Sequence, residues 1–126
     1  MRIAEYVGND IVIIEPYGRL TLETSQAFRN AVSCRIERGW NRLIIDFQNI
    51  EFLDSAGLGA LADAYTWART RGIRIVLVHV FGRNRSLLAL TKLLTVFDVY
   101  ETTLEAERSF NYPSRAAGHV ISVLAR

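Results

Sequence analysis

Ser55 is the residue in this chain best placed for chemistry. The segment 49–61, NIEFLDSAGLGAL, sets it where a strand-to-helix loop turns into a helix. A helix start leaves backbone N–H groups unpaired and carries a partial positive charge, so an anion added there is stabilised. Gly57 and Gly59 flank Leu58 without Cβ atoms, which lets another backbone or a nucleotide approach closely. Hydrolysis, nucleotide binding and phosphorylation all use a serine or glycines in such a setting. The purely structural alternative is a cap, with Asp54 or Ser55 accepting an orphan N–H, and a capped helix start still accepts a phosphate.

The first two chemistries lack parts. Ser55, Asp98 and His119 run in the chain order of an α/β-hydrolase triad, but the nucleophile elbow needs a glycine where this chain has Leu53, and a far larger scaffold. Residues 57–62, GLGALA, fit the GxGxxA pattern of dinucleotide sites, yet the loop 48–54 separates them from the preceding strand. The acidic residue expected about 20 positions on is missing, and that region holds His79, which reads as a structural histidine in an apolar strand. A phosphoryl group, by contrast, adds about −1.5 to −2 charges at neutral pH. The helix start accommodates it while Asp54, Glu51 and Asp46 repel it, which predicts an intact fold with a changed surface.

The elements that must position this serine follow from periodicity. Residues 1–7 and 11–15 are β-rich runs around Gly8, Asn9 and Asp10, a hairpin, with Pro16 and Gly18 ending the second strand. Leu22, Ala27, Val32 and Ile36 recur at helical spacing, predicting a helix over 21–38 stopped by Gly39. Residues 42–47, RLIIDF, read as a strand covered on both faces, and 48–54 as a loop. A helix over 55–71 with Leu58, Leu61, Ala62, Tyr65 and Ala68 on its apolar stripe ends at Gly72. A strand over 73–80 follows, then a helix over 84–94 carrying Leu87, Leu88, Leu90 and Leu94, a strand over 96–100 and a helix over 103–110. This alternation predicts an α/β fold, a mixed, mostly parallel sheet with an N-terminal hairpin and helices packed against it. In such sheets ligands and partners meet the loops at the carboxyl ends of the strands. Ser55 and residues 82–85 lie there, and if the strand ending at Glu15 is parallel to the others, Arg19, Arg83 and Arg85 share the edge with Ser55.

Composition narrows the class. With 126 residues, half of them apolar, the chain suits one domain, here 1–112, followed by a tail over 113–126 whose closing Val120, Ile121, Val123 and Leu124 suit docking, self-association or fraying equally. Fifteen basic residues against 13 acidic ones give a net charge of +2, too small and too scattered to imply nucleic acid. Cys34 is the single cysteine, so no internal disulfide forms and it reads as a small buried hydrophobe; a reducing, cytoplasmic location is expected. No run reaches membrane-spanning length.

Residues 18–110 resemble the STAS domain of anti-sigma factor antagonists. The marks are GRL at 18–20, LIIDF at 43–47, FLDSAGLGAL at 52–61 and RGIRIVLV at 71–78. The resemblance implies that Ser55 is the phosphoacceptor. It implies that the unphosphorylated protein binds an anti-sigma factor of histidine-kinase-like ATPase fold and so frees a sigma factor for transcription. When that partner is a serine kinase, phosphorylation ends the complex. Partner binding is then expected around Asp54, Ala56, Gly57, Leu58 and Gly59, with Arg19 and Arg83 nearby, and no metal, cofactor or catalysis of its own. Ala56 departs from the second Ser or Thr usual in antagonists, a feature shared with STAS scaffold subunits of lipid-transport or stressosome-like complexes. Homo-oligomers are compatible with either reading.

Overall fold

The structure, a computed structural model, describes residues 1–111, so Tyr112, His119 and the tail over 113–126 lie outside the described residues. Among them the order is β1 (Arg2–Gly8), β2 (Ile11–Leu20), α1 (Ser25–Glu37), β3 (Arg42–Asp46), β4 (Ile50–Leu53), α2 (Ser55–Arg71), β5 (Arg74–Val78), α3 (Gly82–Leu90), α4 (Leu93–Val96), β6 (Asp98–Tyr100) and α5 (Thr103–Ser109). One mixed sheet runs β1-β2-β3-β5-β6, with β4 also paired to β2. Only β1 is antiparallel to its neighbour. This is the expected α/β architecture with its N-terminal hairpin.

Strand alternation divides the sheet into two faces. Val12, Ile14, Leu43, Ile45, Ile75 and Leu77 point to the side where α1 and α2 bring Phe28, Val32, Leu61 and Ala64, all buried. Ile11, Ile44, Val76 and Val78 point the other way and meet Ala106 and Phe110 at α5. Arg74 pins that layer: its guanidinium donates to the Ser109 carbonyl, the Asp98 carboxylate and the Tyr100 hydroxyl at 2.8, 2.8 and 3.0 Å.

Several elements depart from the pattern read in the sequence. Strand β2 does not stop at Pro16 but continues to Leu20. It pairs with β3 over Val12–Ile14 and with β4 over Gly18–Leu20, and the proline's missing N–H falls between the two. Gly18, at φ 97°, takes a conformation open to few other residues where the pairing with β4 shifts register. Residues 50–53, read as loop, form β4.

Helix α1 starts at Ser25, because Thr24 Oγ1 accepts the Thr21 N–H (2.9 Å) and donates to the Arg19 carbonyl (2.6 Å), closing a turn first. Its buried stripe is Ser25, Phe28, Val32 and Ile36; Leu22 and Ala27 are exposed, as is Cys34. In α2 the inner stripe is Gly57, Ala60, Leu61, Ala64 and Ala68, with Ala62 outside and Leu58 and Tyr65 half-buried against the core. The long helix expected over 84–94 is two, α3 and α4, broken where Lys92 adopts a left-handed φ of 69°, and Leu90 is exposed.

Candidate functional site

Strands β2, β3, β4 and β5 are parallel, so their carboxyl ends share one edge of the sheet. Residues 54–59 lie on it. Asp54 follows β4 in extended geometry and is the N-cap of α2. Its Oδ1 accepts the Gly57 N–H at 2.9 Å and its Oδ2 the Leu22 N–H at 3.2 Å, so one carboxylate holds both the helix start and the β2–α1 turn. The Asp54 N–H donates to the Leu20 carbonyl at 3.3 Å. Of the two capping candidates, the aspartate takes the role. Ser55, the first residue of the helix, is exposed, and its hydroxyl has no hydrogen-bond partner among the described residues.

The Gly57 N–H, followed by that of Leu22, holds the Asp54 carboxyl below the usual carboxylate range. A carboxyl whose value is depressed by folding stabilises the fold above its unfolded value, roughly 3.9, and that contribution is lost as pH falls through the folded value. Asp54→Asn is therefore expected to lower the melting temperature at pH 7, with the gap to wild type narrowing below pH ~4. Thermal melts of both proteins from pH 7 to pH 2 check this, and a constant gap would contradict it.

The glycines have separate tasks. Gly57 is buried, and a Cβ there would overlap the Leu20 carbonyl oxygen, so this glycine closes α2 onto β2 and is not part of the exposed edge. The Gly57 N–H is already held by Asp54 Oδ1, so it offers no free donor to a nucleotide phosphate. Gly59 is half-buried, and a Cβ added to it would stand 3.7 Å from Arg29 Nη2, an ordinary contact. Ala56 and Leu58 are half-buried.

Two of the three arginines expected near Ser55, Arg19 and Arg83, meet on Phe52. Their Cζ atoms stand 4.5 Å (Arg19) and 4.4 Å (Arg83) from the centre of its ring. Arg83 Nη1 also donates to the Leu53 carbonyl at 3.4 Å, and Asn84 Nδ2 to the Ile50 carbonyl at 2.8 Å, fixing the start of α3 to β4. Arg85 is exposed on α3 and takes no part in the stack. Phe52, Leu22 (73% exposed) and Phe81 (59% exposed) also border this edge; none is expected there from the sequence, which puts Leu22 on the apolar stripe of the first helix.

The hydrolase arrangement does not assemble. Asp98 begins β6 and is paired with Arg74 at the start of β5, the end of the sheet opposite Ser55, and His119 lies outside the described residues. His79 is half-buried, with Nδ1 2.9 Å from Oδ1 of Asp46, a structural contact at the ends of β3 and β5. Among the described residues no cluster of three or more His, Cys, Asp or Glu side chains could hold a metal, and no helix is long and apolar enough to cross a membrane.

The sequence profile of the STAS domain matches residues 2–106. The chain belongs to the STAS domain family. A Thermotoga maritima protein named as a candidate anti-sigma factor antagonist is 26% identical over 101 residues, covering 79% of this STAS chain and 89% of its own. An anti-sigma F factor antagonist of Paenibacillus polymyxa is 24% identical over 97 residues, 76% of this chain and 83% of its own. The STAS fold is shared with the phosphorylated form of the Bacillus cell-fate determinant SpoIIAA, at a TM-score of 0.67 and 21% identity over 85% of this chain and 97% of that one.

Proposed function

We propose that this STAS domain is an anti-sigma factor antagonist: a non-catalytic binding module whose partner surface is the edge around Ser55 and whose affinity is set by phosphorylation of that serine. One observation carries the reading. Because Asp54 takes over the cap, the Ser55 hydroxyl is exposed and unengaged at the first position of α2. A phosphoryl group there gains the helix-start field and breaks no internal bond, while it adds a dianion to a surface whose binding of a partner it opposes. The partner proposed is an anti-sigma factor of histidine-kinase-like ATPase fold that is also the serine kinase. Regulation of sigma-dependent transcription follows from sequestering it. Leu22 and Phe81 supply exposed apolar surface for that contact.

The test compares wild type, Ser55→Ala and Ser55→Asp for binding to a kinase-type anti-sigma factor from the same genome, with mass spectrometry after incubation with ATP. A like charge facing a bound surface costs several kcal/mol, so Ser55→Asp is expected to bind at least about tenfold more weakly. Ser55→Ala should bind as wild type does and take up no phosphate. Ser55 is the sole hydroxyl residue in 48–59, so phosphate found in that peptide assigns itself. Equal binding by all three with no phosphate would refute the switch and favour a constitutive scaffold.

A further inference from the structure

We propose that Arg19, Phe52 and Arg83 form a preorganised receptor for the carboxylates of an acidic segment on the partner protein. The inference rests on the protein-binding reading of the Ser55 edge and names what that edge recognises. Its basis is a contrast among the arginines. Arg29, Arg35 and Arg74 each have a carboxylate, on Asp63, Glu5 and Asp98, at 2.8, 2.7 and 2.8 Å. Arg19 and Arg83 are exposed and have none among the described residues, yet neither is left to wander, since both stack on the one ring.

Stacking uses the flat face of a guanidinium and leaves its N–H edge available. Among the described residues, only Arg83 Nη1 of those edges is engaged, at the long distance of 3.4 Å to the Leu53 carbonyl. Two forks are thus presented on one ring, Arg19 from β2 and Arg83 from the first turn of α3, with Phe52 of β4 between the two elements, an arrangement that suits bidentate contact with carboxylates. The rotamer freedom that a lysine or a loose arginine would lose on binding is already spent in the stack.

The backbone produces this arrangement. Residues 50–53 read IEFL, and Ile50 and Leu53 are both buried at a spacing of three, which a regular strand cannot do. The register shift between β2 and β4 absorbs Glu51 and turns Phe52 outward opposite Arg19, its register partner. A polyanion is less well matched than a short acidic segment: the exposed Glu51 flanks the ring, Asp54 lies two residues beyond it, and the patch holds two cations with exposed Leu22 and Phe81 along the same edge.

The probe is a fluorescein-labelled peptide, Glu-Leu-Glu-Glu-Leu-Glu, titrated with the full chain and read by anisotropy at low and high salt. Its glutamine analogue and a 12-nucleotide oligothymidylate serve as controls. Arg19→Ala and Arg83→Ala are each expected to weaken peptide binding about tenfold. Phe52→Leu, which keeps both charges and removes the platform, should weaken it too, and the glutamine analogue should not bind. Circular dichroism confirms that each variant is folded. Unchanged or absent peptide binding overturns the proposal, as does tighter binding of the oligothymidylate with the same arginine dependence. If Ser55 is phosphorylated but the arginine variants bind the peptide as wild type does, this inference fails and the switch stands; if arginine-dependent binding occurs with no phosphate on Ser55, the reverse holds.

Discussion

Gly57→Ala is expected to destabilise the domain by about 2–3 kcal/mol, although alanine in a helix ordinarily gains up to about 1 kcal/mol over glycine. The overlap wins because the obstacle is backbone. The Leu20 carbonyl oxygen that the new methyl would meet accepts the Asp54 N–H, and Leu20 is in register with Leu53 of β4. Neither side can yield without opening the β2–β4 pair or pushing α2 outward. The Gly57 N–H also holds Asp54 Oδ1, so the same shift disturbs the cap that leaves Ser55 free. Gly59→Ala is the matched control, two residues on, with only an arginine side-chain nitrogen in ordinary contact. It should be neutral or gain roughly 0.5–1 kcal/mol. Thermal or urea melts of the two variants decide the matter, and equal stabilities would refute the assignment of Gly57 to close packing.

Phe28→Ala is expected to cost about 3–5 kcal/mol, the range for removing a whole aromatic ring from a packed core. The ring is fully buried between α1 and the sheet, in the same cluster as Val12, Leu43 and Leu61. Leu22→Ala, by contrast, removes a side chain that is 73% exposed and should change stability by no more than about 0.5 kcal/mol. Chemical denaturation of the pair tests the phase of α1. A larger loss from Leu22 than from Phe28 would mean that the helix presents a different face to the sheet.

That pair also marks where sequence reading succeeds and where it stops. The parallel sheet, the hairpin and helix α2 from Ser55 to Arg71 were legible, because continuous apolar runs and a helix bounded by Asp54 and Gly72 leave little choice of element. The inner face of α1 was misread because Leu22, Ala27, Val32 and Ile36 fit a helical stripe as well as Ser25, Phe28, Val32 and Ile36 do. The choice between them is made at Thr24, whose hydroxyl bonds delay the helix start by a turn. Strand β4 was invisible because its bulge destroys the alternation by which strands are recognised. At the site, the exposed serine and the arginines on its edge could be placed from strand order, whereas the role of Gly57 and the stack on Phe52 depend on contacts across β2 that no local pattern encodes.

Strand β2 borders β1, β3 and β4, and this sets an order in time for a chain emerging from the ribosome. Its hairpin with β1 needs only the first 20 residues and can close early. The opposite edge has no partner until residues 42–53 have been made, so for more than 20 residues of synthesis a ten-residue, largely apolar strand carries open N–H and C=O groups. Pro16, in the gap between its two later partners, removes one donor from that edge and bars another strand from lying along its whole length. The residue that first looks like a strand terminator thus protects the nascent sheet from pairing with the wrong chain.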